Sequence, residues 1–110
     1  MIELIVYEYL KRELPVPVYM EKPDEEIEEY ILIEKTGSSE EDYIMNAMVI
    51  IQSYSNSMYG AASLNEKVKE KMRNIVSLKE ISSVKINSDY NYTDTRTKKY
   101  RYQAVFDLFY

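Results

Sequence analysis

The sequence predicts a single α+β domain over residues 1–110. It would be a mostly antiparallel sheet of about five strands with two helices packed on one face, in the order α-β-β-β-α-β-β. Three observations predict this. Two segments, near residues 2–14 and 57–75, repeat apolar side chains at helical spacing. The last quarter of the chain alternates side chains with a period of two. Between the helical segments lie runs rich in β-formers, punctuated by Pro15, Pro17 and Thr36-Gly37-Ser38-Ser39.

The elements follow in order. Ile2, Ile5, Val6, Tyr9 and Leu10 form one stripe of a first helix, which must stop near Leu14 because Pro15 and Pro17 disfavour it. Val16 to Met20 reads as a short strand, and its proline argues for a sheet edge. Glu21 to Glu29 is an acidic connector. Tyr30 to Lys35 reads as a strand ending at the Gly37 turn signal, and Tyr43 to Tyr54 as its hairpin partner. Ala47, Val49 and Ile51, with Met45, share the side expected to face the core. Asn56 or Ser57 can cap the next helix, whose stripe is Ala61, Leu64, Val68, Met72 and Ile75. Val84, Ile86, Ser88, Tyr90 and Tyr92 alternate with Lys85, Asn87, Asp89 and Asn91, predicting one face for each set. After Thr93 to Thr97 the last strand places Tyr100, Tyr102, Ala104, Phe106, Leu108 and Tyr110 on one side.

Composition narrows the chemistry. The chain has no histidine and no cysteine, so the commonest general base, the thiol nucleophile and the usual zinc ligands are missing together. Its two glycines, Gly37 and Gly60, cannot build a glycine-rich phosphate loop. Acidic clusters at Asp24-Glu25-Glu26 and Glu40-Glu41-Asp42 lack the alternating ligand spacing of a calcium loop and read as solvated charge. The expectation is a protein that is not an enzyme, with no cofactor and no metal site. No run approaches the ~20 apolar residues of a membrane helix, and the amino terminus has no signal-peptide pattern, so a cytoplasmic protein without a membrane partner is expected.

Charge and tyrosines supply the candidate site. The net charge is −5, which makes sequence-specific nucleic-acid binding a poor expectation. Ten of the nineteen acidic residues lie between Glu21 and Asp42, whereas Arg96, Lys98, Lys99 and Arg101 gather near the end. Tyr90 and Tyr92 stand beside that basic tip, among twelve tyrosines in all. Alternate tyrosines can be cross-strand pairs that stabilise a hairpin, anchors of a protein interface, or stacking platforms for single-stranded nucleic acid. Arg96, Lys98, Lys99, Arg101, Tyr90 and Tyr92 are the candidate protein-interface residues, with a nucleic-acid module around residues 90–102 as the alternative. Reversing Lys98, Lys99 and Arg101 to glutamate is expected to reduce assembly and leave the monomer folded.

Several stretches carry a family resemblance. Ile51-Gln52-Ser53-Tyr54-Ser55-Asn56-Ser57 leads into a helix with Ala61-Ala62, Leu64-Asn65 and Val68-Lys69. Lys99-Tyr100-Arg101-Tyr102-Gln103-Ala104-Val105-Phe106-Asp107-Leu108 comes near the end, with Pro15-Val16-Pro17-Val18 and Ile33-Glu34-Lys35-Thr36-Gly37 before. Over nearly the whole chain this resembles the tail-completion (tail-terminator, head–tail joining) proteins of long-tailed phages and Gram-positive prophages. The chain departs from that pattern at Ser38, where a second glycine would follow Gly37. The resemblance implies a structural α+β subunit that assembles with itself into a ring, usually a hexamer, at the head-proximal end of the tail tube. Its implied partners are the major tail tube protein and the head–tail connector protein, and a neighbouring connector protein is a rival within the same class. The implied location is the virion's head–tail junction, reached from the host cytoplasm during assembly.

Overall fold

A computed structural model describes residues 2–41, 44–97 and 99–110. Helix α1 spans Ile2–Glu13, strand β1 Val18–Tyr19, β2 Tyr30–Glu41, β3 Ile44–Ser55, helix α2 Met58–Arg73, β4 Ser83–Asn91 and β5 Tyr100–Phe109. A 3-10 turn at Ile75–Ser77 follows α2, so Ile75 completes the apolar stripe just past the helix end. The strands form one sheet in the order β1-β2-β3-β5-β4. All pairings are antiparallel except the two-residue β1, which lies parallel to β2 at the edge. The expected α+β architecture is therefore present, with Pro17 at the edge strand and its carbonyl accepting from the Ile31 N–H at 2.9 Å.

Both helices cover one face. Ile2, Val6, Tyr9, Leu10 and Leu14 from the first helical segment meet Leu64, Val68 and Met72 of α2 over Ile31, Ile33, Ala47, Val49, Ile51, Ala104, Phe106 and Leu108. Among the described residues nineteen buried side chains form this core, and burying apolar surface of this kind is the main favourable contribution to folding. The Tyr9 hydroxyl donates to the Lys71 carbonyl at 2.7 Å, tying α1 to the last turn of α2. Ser57 is the cap: its hydroxyl accepts from the Gly60 N–H at 3.0 Å. Gly60 also permits a close approach, because a Cβ there would collide with Ser55 Oγ of the preceding strand.

Four expectations need correction. Gly37 does not turn the chain. β2 runs on to Glu41 and pairs with β3 as far as Ile44, with a register shift between Lys35 and Gly37 that leaves Thr36 as a bulge. Met45 belongs to the core side by alternation but lies beyond the helices and is exposed. In β4 the register shifts between Ile86 and Ser88, so Asn87 is the extra residue. Val84 and Ile86 therefore face the core while Ser88 and Tyr90 turn to the opposite face, and Asp89 turns toward α2. There Asp89 accepts from Asn65 Nδ2 at 3.0 Å and pairs with Lys69 at 3.0 Å. Strand β1 is also shorter than the Val16–Met20 reading. Asp42, Tyr43 and Lys98, which figure in the expected acidic cluster, second strand and basic tip, lie outside the described residues.

Candidate functional site

The face without helices carries a row of aromatic and cationic side chains running across the sheet. Tyr19 of β1 meets Tyr30 of β2 edge-on at 5.8 Å, and Tyr30 stacks on Tyr54 of β3 at 4.5 Å with rings 8° apart. Arg101 of β5, the cross-strand neighbour of Tyr54, comes next. Its guanidinium lies 5.7 Å from the Tyr54 ring centroid and 4.4 Å from that of Tyr92. Tyr92 meets Tyr90 edge-on at 5.9 Å.

A chain of hydrogen bonds runs beside the row. Arg101 Nη1 donates to the Tyr54 hydroxyl at 2.8 Å, and that hydroxyl donates to Gln52 Oε1 at 2.9 Å. Gln52 Nε2 donates to Gln103 Oε1 at 2.9 Å, and Gln103 Nε2 to the Tyr90 hydroxyl at 2.6 Å. Both glutamines are buried, so each link satisfies a polar group that would otherwise be costly. Tyr30, Leu32 and Tyr54 form a small second core, closed over by Ile27 from the acidic connector and by Tyr19.

The expected interface residues divide into two sets. Arg101 is half-buried, and its Nε donates to the Tyr92 carbonyl at 2.7 Å, so its charge is committed to the fold. Arg96 and Lys99 are exposed in the loop joining β4 to β5, shaped by Asp94, whose carboxylate accepts from the Arg96 N–H at 3.0 Å. That bond, reinforced by Thr97 and the Arg101 charge, holds the Asp94 carboxyl below its ordinary range. Tyr90 and Tyr92 keep 43% and 47% of their surfaces exposed, enough for a partner to reach. Lys98 lies outside the described residues.

An open groove of about 680 Å³ lies at this end of the sheet, lined by connector residues Lys22 to Glu28 together with Tyr30, Tyr54, Ser55, Asn56, Thr97 and Lys99. The acidic connector and the basic tip thus line the same groove of one molecule. Any pairing of the connector of one molecule with the tip of another would have to compete with this internal proximity. Among the described residues no group of three acidic side chains converges closely enough to hold a metal ion. No helix there is long and apolar enough to cross a membrane.

At the opposite end of the sheet, Ile44, Met45 and Met48 are exposed, with Ile44 at 54%. Gln52, Gln103, Tyr30 and Tyr54 were not among the expected site residues. Alternation alone assigns each glutamine to the open side of its strand, which is the signal available for them. Their pairing depends on a register between strands 51 residues apart.

Among the described residues three groups titrate above their ordinary values. For Tyr30 burial is the main cause, the neighbouring Tyr54 adds to it, and the Arg101 charge opposes it. Burial and then the Glu13 charge raise Tyr9. For Lys69 the hydrogen bond from its ammonium to Glu66 leads, followed by that to Asp89, against a smaller opposing effect of burial. A raised value means that the folded chain holds the proton more tightly than the unfolded chain. The resulting stability is intact below the unfolded value and is lost as pH climbs through the interval up to the folded one. Thermal unfolding followed by circular dichroism should therefore show the midpoint falling above about pH 10. Tyr30→Phe should make that fall shallower, and an unchanged slope would remove Tyr30 from the account.

No protein-family model matches the chain, and no curated protein matches it.

Proposed function

We propose that this chain is a structural assembly protein of a phage or prophage tail: a ring-forming subunit that caps the head-proximal end of the tail tube and mediates head–tail joining. The observation that carries this reading is the pair Ile44 and Met48, exposed apolar side chains on the open face at the end of the β2–β3 hairpin, with Met45 exposed on the other face. Exposed apolar patches of this sort mark surfaces that another protein covers. The resemblance over nearly the whole chain to tail-completion proteins supplies the identity of that assembly. The absence of histidine and cysteine fits a role in packing better than one in acid–base or thiol chemistry. The proposed partners are further copies of the chain, the major tail tube protein and the head–tail connector protein.

Electron microscopy tests the reading directly. Tubes assembled from the major tail tube protein, mixed with the purified chain, should carry a cap at one end. A chain bearing Ile44→Lys and Met48→Lys should stay folded and leave the tubes bare. Tubes that the unaltered chain leaves bare at both ends would overturn the reading.

A nucleic-acid-binding module is the second reading, favoured by the half-exposed Tyr90 and Tyr92 beside Arg96 and Lys99. The commitment of Arg101 to its own fold and the net charge of −5 count against it.

A further inference from the structure

The sheet has two free edges. β1 pairs with β2 only at Ile31 and Leu32, so among the described residues the outer edge of β2 from Ile33 to Glu41 has no partner strand. Across the sheet the outer edge of β4, from Ser83 to Asn91, is likewise unpaired. Each edge is nine residues long, roughly 30 Å at the usual strand rise. Unpaired rows of backbone N–H and C=O groups are templates for another strand.

Direction and level permit one partner that charge then favours. The pairings β2–β3, β3–β5 and β5–β4 are each antiparallel, so β4 runs opposite to β2. A second copy laid beside the first in the same orientation brings β4 against β2 as an antiparallel pair. The edges are also level: Ser39, Asn46, Phe109 and Ser83 form one row across the sheet, and Gly37, Met48, Asp107 and Lys85 another. At that level both strands are regular, since the bulges at Thr36 and Asn87 lie further along. On the open face the free edge of β2 carries Glu34 and the free edge of β4 carries Lys85, with no acid on β4 before Asp89. A β2–β2 pair would set acids against acids, and like charges opposite one another on paired strands are destabilising.

The geometry points to a second copy of this chain as the occupant of these edges: β4 of one subunit pairs antiparallel with the outer half of β2 in the next. The contact is heterologous, so repeated copies close into a ring if the rotation permits, which leaves only the short β1 at an edge. Exposed Ile44, Met45 and Met48 lie on the strand beside β2 at the same end and add apolar area. The edge contact deepens the ring reading given above and rests on it for closure.

The chain has no cysteine, so introduced thiols report only on the positions chosen. A chain carrying Ser39→Cys and Ser83→Cys, oxidised after its fold is checked by circular dichroism, should give a ladder of cross-linked species ending in a closed ring. Either substitution alone should stop at dimers. Ser39→Cys with Lys85→Cys covers a register shifted by two residues. In sedimentation, Lys85→Glu should weaken self-association about threefold, and Glu34→Lys, its diagonal neighbour on the same face of the joined sheet, should restore it in the same chain. If neither cysteine pair yields species beyond those of the single variants, the edge contact is overturned. Cross-linked rings that leave tail tubes bare would keep the edge contact and remove the tail function. Capped tubes whose cysteine pairs stay unlinked would do the reverse.

Discussion

Phe106→Ala should lower the unfolding free energy by about 3–5 kcal/mol, the largest loss expected from any single truncation in the chain. Phe106 is the largest fully buried side chain among the described residues. It lies on β5 between Val49 of β3 and Ile86 of β4, on the face that the two helices cover. Removing its ring withdraws contacts from both neighbouring strands and the helical layer together, and a three-element junction cannot collapse to fill the space. A domain of this size has a total stability of about 5–15 kcal/mol, so the loss takes a third or more of it in most of that range. Urea unfolding should show a lower midpoint with an unchanged slope. A loss below about 1 kcal/mol would mean that the core repacks around the gap, contrary to its close packing. Val105, the next residue on β5, faces the open side and should tolerate the same truncation at a smaller cost.

The same contrast shows what was legible in the sequence. Periodicity placed both helices, their buried stripes and the inward sides of β3 and β5, and cap chemistry narrowed the second helix start to Asn56 or Ser57, because these depend only on neighbours a few residues away. Two single-residue bulges were not legible. Thr36 and Asn87 become extra residues only relative to a partner strand, and the one at Asn87 reverses the facing of every residue after it. The turn signal around Gly37 was local, and pairing of β2 with β3 on both sides of it overrode it. Within the candidate site, Tyr90 and Tyr92 stand out by alternation and composition. The glutamine pair that fixes Tyr90 forms only once β3 and β5 are in register. Formal charge was the weakest guide, since Arg96 and Arg101 look alike on paper and differ entirely in what surrounds them.

That difference carries the second large effect. Arg101→Ala should destabilise the fold by about 2–3 kcal/mol, from a charge-assisted hydrogen bond to the Tyr54 hydroxyl, another to the Tyr92 carbonyl, and contact with both rings. Arg101→Lys should recover little, because an ammonium cannot present two donors in the plane that spans those acceptors. Arg96→Glu with Lys99→Glu should change stability by no more than about 0.5 kcal/mol, since both side chains are exposed. Reversing Lys98, Lys99 and Arg101 together would therefore mix a folding defect with any loss of docking, and an assembly failure in that triple variant would say nothing about the interface. The Arg96 and Lys99 pair separates the two. If it abolishes tube capping at unaltered stability, the basic tip is a docking surface. If capping survives it, the contacts lie elsewhere, and the sheet edges with the exposed Ile44, Met45 and Met48 become the surface to test. Arg101→Ala unfolding no earlier than the unaltered chain would show that the aromatic row stands without its cation.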